Sequence, residues 1–127
     1  MVVDTSALLA ILQDEPERRA FNERLESSDV RLLSVASFVE TSSVLEARHG
    51  AEGVRDLDLF LERAAIELVG VTPAHGRIAR RAYAAYGKGR HQAGLNFGDC
   101  FAYALAVERS EPLLFKGEDF THTDVPR

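Results

Sequence analysis

Short apolar runs alternate with longer stretches of helical spacing along this chain, and that alternation leaves few folds open. Met1-Val2-Val3, Val30-Arg31-Leu32-Leu33, Leu68-Val69-Gly70-Val71 and Pro112-Leu113-Leu114-Phe115 each read as a short strand. Strands separated by helices must run parallel, with the crossovers packed on the sheet faces. The expected fold class is α/β, a three-layer α/β/α sandwich with a short, mainly parallel central sheet. The chain has 127 residues, enough for a real core, and shows no repeat, low-complexity tract or shift of composition. A single domain spanning residues 1–127 is expected.

Residue chemistry places the helix ends. Thr5 or Ser6 can cap a first helix through Ala7-Leu8-Leu9-Ala10-Ile11-Leu12. Asp14-Glu15-Pro16-Glu17 interrupts it, with the proline and acids suited to a new first turn. Ala20, Phe21 and Leu25 continue that second helix. Ser34 or Ser37 can start the next helix, and His49-Gly50 makes a plausible stop. Val54, Leu57, Leu61, Ala64 and Leu68 then keep an amphipathic spacing of three and four. Thr72-Pro73 pairs a cap with proline at the first helical position. The stretch from Gly87 to Gly94 reads as a flexible loop, and Asn96-Phe97-Gly98-Asp99 opens one more helix.

Four acids fall where one element meets the next: Asp4, Glu40, Asp99 and Asp119. Asp4 and Asp119 each follow a strand; Glu40 and Asp99 lie in the first turns of helices. Strand carboxyl ends and the starts of the following helices share one edge of a parallel sheet, which is where such folds place their ligands. All four can therefore meet at one rim, as a carboxylate cup for a hard divalent cation. For any one acid, helix capping or dipole pairing is the plain alternative. The formal charge is −5; without these four acids it would be −5 + 4 = −1, so the acidity does not exclude RNA as a partner.

Other chemistries find less support. The one cysteine, Cys100, lies in an apolar helical run, which disfavours a reactive thiolate and fits a reducing cytoplasm. His49, His75, His91 and His122 are scattered without zinc-site spacing. Ser6–Leu12, the longest uncharged apolar stretch near the N-terminus, is too short to span a membrane and lacks a basic leader. A cytoplasmic protein is expected, neither secreted nor membrane-bound.

Val2-Val3-Asp4-Thr5-Ser6-Ala7-Leu8, Glu40 in a Ser-rich helix start, the segment from Leu95 to Ala106, and Lys116-Gly117-Glu118-Asp119-Phe120 together resemble the PIN-domain ribonucleases. The resemblance is closest to the VapC toxins of bacterial toxin–antitoxin pairs and runs from residue 2 to about residue 125. It implies an endoribonuclease that uses Mg²⁺, or Mn²⁺ in its place, and cleaves RNA phosphodiester bonds with metal-activated water. Asp4 and Asp99 would then be the main metal ligands. Glu40 would help hold the ion or orient the water, and Asp119 would complete the cup. Thr5, Ser6 and Asn96 would line the site. The resemblance also implies a cognate VapB-type antitoxin and a homodimer. One departure is Gly117, where many relatives carry a further acid, so a second ion would be held less well.

Between Leu68 and Gly98 there is no acid, yet Arg77, Arg80, Arg81, Lys88 and Arg90 fall there. That stretch reads either as a solvated face or as a landing strip for RNA phosphates. Two competing functions stay open from sequence: a non-catalytic RNA- or partner-binding module, and an aspartyl-phosphate phosphatase with Asp4 as nucleophile and Lys116 as clamp. The second normally needs an acid where this chain has Ser6. Leu8, Leu9, Leu12 and Phe21 exceed what one core face needs, so a partner groove between the N-terminal helices is expected.

Overall fold

The computed structural model describes residues 1–127. Its elements run β1 (Val2–Val3), α1 (Thr5–Leu12), α2 (Arg18–Glu26), β2 (Leu32–Ser34), α3 (Val35–Arg63), β3 (Glu67–Val69), α4 (Pro73–Tyr86), α5 (Phe97–Arg109) and β4 (Leu113–Leu114), then a 3₁₀ turn at Asp119–His122. The four strands form one parallel sheet in the order β3-β2-β1-β4.

Alternation along each strand explains the three layers. Val2, Leu32 and Leu113 turn to the face covered by α4 and α5, where they pack with Ala79, Ala82 and Leu105. Their neighbours Val3, Leu33 and Leu114 turn to the opposite face, against Leu8, Phe21, Leu45 and Leu57 of α1, α2 and α3. All six strand residues are buried, which is why so short a sheet can organise the domain.

Several boundaries differ from the sequence expectation. β2 starts at Leu32 because Val30 is exposed; its carbonyl accepts a 2.7 Å bond from the Met1 amine. β3 is shifted toward Glu67 and ends at Val69; Leu68 on this edge strand and Val71 beyond it are both exposed. Pro16 lies ahead of α2 rather than within its first turn. The expected stop at His49-Gly50 is a sharp bend within α3: Gly50 takes φ 66° and ψ −152°, a conformation that suits glycine.

The expected groove between the N-terminal helices needs correction. Leu8 and Phe21 are buried in the core, and Leu9 and Leu12 are half-buried against it. A groove of about 310 Å³ exists further along, between the ends of α1 and α3, lined by Ile11, Leu12, Arg18, Asn22, Leu59 and Phe60 among others. No helix is long and apolar enough to cross a membrane.

Candidate functional site

Strand order locates the site before any side chain does. From β1 the chain moves outward through β2 to β3, then returns through α5 to place β4 on the other side of β1. The order therefore switches direction at β1 and β4, and the crevice beyond their carboxyl ends is where open α/β sheets bind ligands. Asp4 follows β1 directly, and Asp119 stands in the 3₁₀ turn after β4.

Asp4 is the N-cap of α1. Its Oδ2 accepts from the Ser6 amide at 3.0 Å and from the Ser6 hydroxyl at 2.6 Å. The Ser6 hydroxyl in turn accepts from the Lys116 amide at 2.9 Å, tying the end of β4 to the start of α1. Thr5 braces the fold behind this point: its hydroxyl donates to the Ser37 carbonyl at 3.3 Å and accepts from Thr41 at 3.0 Å. These buried bonds hold α3's first turns, and with them Glu40, against α1.

Asp99 is placed by a second reciprocal cap. Asn96 is the N-cap of α5; its side-chain oxygen accepts from the Asp99 amide at 2.8 Å, and Asp99 Oδ2 accepts from the Asn96 amide at 3.0 Å. Asn96 is thus an exposed positioning group for Asp99. Glu40 meets the same helix start, because its carboxylate lies against the Cα of Gly98. Sequence reasoning passed over Gly98. The signal that could have found it is a glycine inside the first turn of an otherwise well-formed helix.

Electrostatics join these acids. Asp4 is only 3% exposed, and burial pushes its carboxyl up to about 6, with the Glu40 charge adding to the shift and the Ser6 bonds opposing it. Asp99 is pushed up to about 7, first by burial and then by the charges of Asp4, Asp119 and Glu40. Asp99 thus feels the charges of the other three acids, and Asp4 that of Glu40, so like charges crowd one place. None of them has a lysine, arginine or histidine partner among the chain's ion pairs. No three acidic, histidine or cysteine side chains are grouped closely enough to hold an ion by themselves. The donor set is all oxygen and uncompensated, which fits a Mg²⁺-type ion that keeps several of its own waters.

The basic residues stand apart from these carboxylates. Arg77, Arg80, Arg81, Lys88 and Arg90 are all exposed and in no ion pair. The Arg90 guanidinium lies 6.0 Å from the centre of the Tyr83 ring. Lys88 donates its amide to the Leu95 carbonyl at 2.9 Å, so the glycine-rich loop closes onto the approach to α5. Arg80 borders an apolar hollow of about 280 Å³ with Tyr83, Phe97 and Phe101. Phe97, next to Gly98, is 76% exposed. Cys100 is buried and its thiol is pushed up to about 11 by burial, so it takes no part in nucleophilic chemistry.

The fold is a parallel α/β sheet with carboxylates at its switch point, and residues 1–126 match the PIN domain family. The chain is 57% identical over 125 residues to Ribonuclease VapC30 of Mycobacterium tuberculosis, covering 98% of this chain and 95% of that protein. It is 54% identical to Ribonuclease VapC of Mycolicibacterium smegmatis, with 98% and 97% covered. The crystal structure of Mycobacterium tuberculosis VapC20, a Sarcin-Ricin loop cleaving toxin, shares the fold at TM-score 0.78 and 16% identity, over 98% of this chain and 95% of that one. The chain belongs to the PIN-domain family, as one of its VapC ribonucleases.

Proposed function

We propose that this VapC ribonuclease hydrolyses RNA phosphodiester bonds at the cup formed by Asp4, Glu40, Asp99 and Asp119, with Mg²⁺ as its ion and Mn²⁺ as a substitute. The family's ribonucleases depend on divalent metal. The observation that carries the assignment to this place is the set of converging acids without a protein cation, two of them with raised pKa values. A bound divalent ion relieves that repulsion, lowers the pKa of a water and stabilises charge on the phosphate as it is attacked.

The chain's own residues divide the remaining work. Asp4 and Asp99 would hold the ion, their carboxylates each oriented by a backbone amide at a helix start. Ser6 keeps the Asp4 carboxylate in place through its hydroxyl, and the backbone amide of Asn96 does the same for the Asp99 carboxylate. Glu40, whose carboxylate lies against Gly98 at α5's start, would help hold the ion or orient the attacking water. Asp119 is exposed and closes the cup from the 3₁₀ turn. Arg77, Arg80, Arg81, Lys88 and Arg90 guide the RNA backbone toward it.

The test is cleavage of a structured RNA by protein freed of any partner. EDTA should abolish it, and added Mg²⁺ or Mn²⁺ should restore it. Cleavage that persists in EDTA and survives Asp99→Asn would overturn the proposal. The phosphatase alternative loses its clamp, because the Lys116 ammonium is engaged by Glu15 and Glu17 on the α1–α2 loop.

A VapB-type antitoxin is the partner this reading requires. A toxin–antitoxin complex from Klebsiella pneumoniae shares the fold at TM-score 0.69 and 15% identity, over 97% of this chain and 92% of that one. The groove lined by Leu12, Leu59 and Phe60 suits an amphipathic helix. A homodimer is the second assembly we propose, and the exposed Phe97 beside its apolar hollow supports it. A monomeric sedimentation profile at micromolar protein would argue against that dimer.

A further inference from the structure

Gly98 occupies the second position of α5, between exposed Phe97 and the metal-site acid Asp99. Nothing about its backbone requires glycine, since it lies in a right-handed helix and is absent from the left-handed positions. Alanine at most helical positions is more favourable than glycine. The position therefore gives up helix stability, and the reason must lie in what a side chain would displace.

A Cβ built at Gly98 would stand 2.3 Å from Glu40 Oε2, 2.7 Å from its carboxyl carbon and 2.8 Å from Oε1. No real Cβ tolerates such distances. The three nearest atoms it meets are the whole carboxylate of Glu40, the far end of a flexible side chain, so swinging that side chain away would relieve the clash. The carboxylate occupies the space that the missing side chain leaves. There it sits at the positive end of a helix of 13 residues, where a negative charge is favoured.

We propose that Gly98 is a positioning residue: its lack of a side chain leaves the space in which the Glu40 carboxylate docks on the start of α5, beside Asp99. The inference rests on the metal-site reading above and adds to it a requirement on a residue that carries no functional group. Glu40 comes from α3 and Asp99 from α5, so the distance between these two acids is set by how closely the helices' contents approach at Gly98. Adding one methyl group moves Glu40 and leaves Asp4, Asp99 and every capping bond in place.

The experiment is a set of six variants: Gly98→Ala, Glu40→Asp, Glu40→Ala, Glu40→Gln, and Gly98→Ala combined with Glu40→Asp and with Glu40→Ala. Each is read by RNA cleavage, by the rise in melting temperature on adding Mn²⁺, and by melting in EDTA. Gly98→Ala should keep or raise its melting temperature in EDTA. It should lose roughly 10- to 100-fold in cleavage rate, the size expected when a catalytic group is misplaced by about 1 Å. Its Mn²⁺-induced rise should shrink. Glu40→Asp has a carboxylate shorter by one methylene, which clears the added methyl. The combined variant should therefore be no worse than Glu40→Asp alone. With Glu40→Ala as background, Gly98→Ala should change the Mn²⁺ response no further.

Wild-type cleavage and Mn²⁺ response in Gly98→Ala would overturn the inference. So would an equal loss of Mn²⁺ response from Gly98→Ala in the presence and absence of the Glu40 carboxylate, because the glycine would then serve packing alone. A Glu40→Gln protein as active as wild type would overturn the role of Glu40 in the site, and this inference with it. An inactive Glu40→Gln beside a fully active Gly98→Ala would remove only the positioning claim.

Discussion

Replacing Asp4 with asparagine should stabilise the metal-free protein at neutral and alkaline pH while abolishing its function. Asp4 is buried with its carboxyl raised to about 6 from an ordinary 3.8. A carboxyl whose folded pKa exceeds its unfolded value holds its proton more tightly when folded. Its contribution is therefore fully favourable below about pH 4 and is lost as pH rises from there through about 6. Above that range the ionised, buried Asp4 costs about 3 kcal/mol, reckoned from the difference between about 6 and 3.8. Relaxation and water entry reduce this, so about 1.5–3 kcal/mol is the working range. Asparagine keeps an oxygen to accept from Ser6 and remains a favoured N-cap, so the helix start survives.

For 127 residues the unfolding entropy corresponds to a gain of roughly 5–10 °C in melting temperature at pH 8. The assay is thermal melting of wild type and Asp4→Asn in EDTA from pH 4.5 to 8. The gap should be smallest at the acid end and widen through pH 6. Added Mg²⁺ should raise the wild type and leave the variant unchanged, closing the gap. A gap independent of pH, or a variant less stable than wild type at pH 8 in EDTA, would refute this reasoning.

Asp99→Asn and Glu40→Gln should each remove RNA cleavage with circular dichroism unchanged, and Asp119→Asn should reduce it less, because Asp119 is exposed at the rim. Asn96→Ala removes the side-chain oxygen that accepts from the Asp99 amide and should lower stability by about 1 kcal/mol in urea unfolding; Mn²⁺ binding should change much less, because the bond to the Asp99 carboxylate is donated by the backbone amide of residue 96, which alanine keeps. Charge reversal at Arg80, Arg81, Lys88 and Arg90 should weaken RNA binding and flatten its salt dependence in a filter-binding titration. Cleavage at saturating RNA should fall much less in that protein, because the acids remain; unchanged affinity and salt slope would return the stretch to a plain solvated face. Co-purification with the neighbouring antitoxin should suppress cleavage, and an undiminished rate in that complex would contradict the inhibitory partnership.

The features legible in the sequence are those in which one residue does a local job. Asp4 ends a strand and caps a helix, and Asn96 with Asp99 forms a reciprocal cap three residues apart, so both acids were marked by short-range chemistry. The alternation of strand and helix made the parallel sandwich readable for the same reason. What escaped depends on distant parts of the chain. Gly98 matters because of Glu40 on another helix, and no local spacing links the two. Leu8 and Phe21 looked surplus because helical spacing cannot tell one apolar neighbour from several; packing between the sheet and other helices buries them both. Leu68 was placed inside a strand that proves to be the sheet's exposed edge, where hydrophobicity does not decide pairing.

Crystals grown with Mn²⁺ and measured for its anomalous scattering test the metal assignment most directly. The account predicts a peak in the crevice beyond β1 and β4, bonded to carboxylate oxygens of Asp4 and Asp99, with Glu40 reaching it directly or through water. The same peak should vanish in Asp99→Asn crystals grown alike. An empty crevice at saturating Mn²⁺, or an ion bound at other side chains in an enzyme that cleaves RNA, would contradict the assignment of this site.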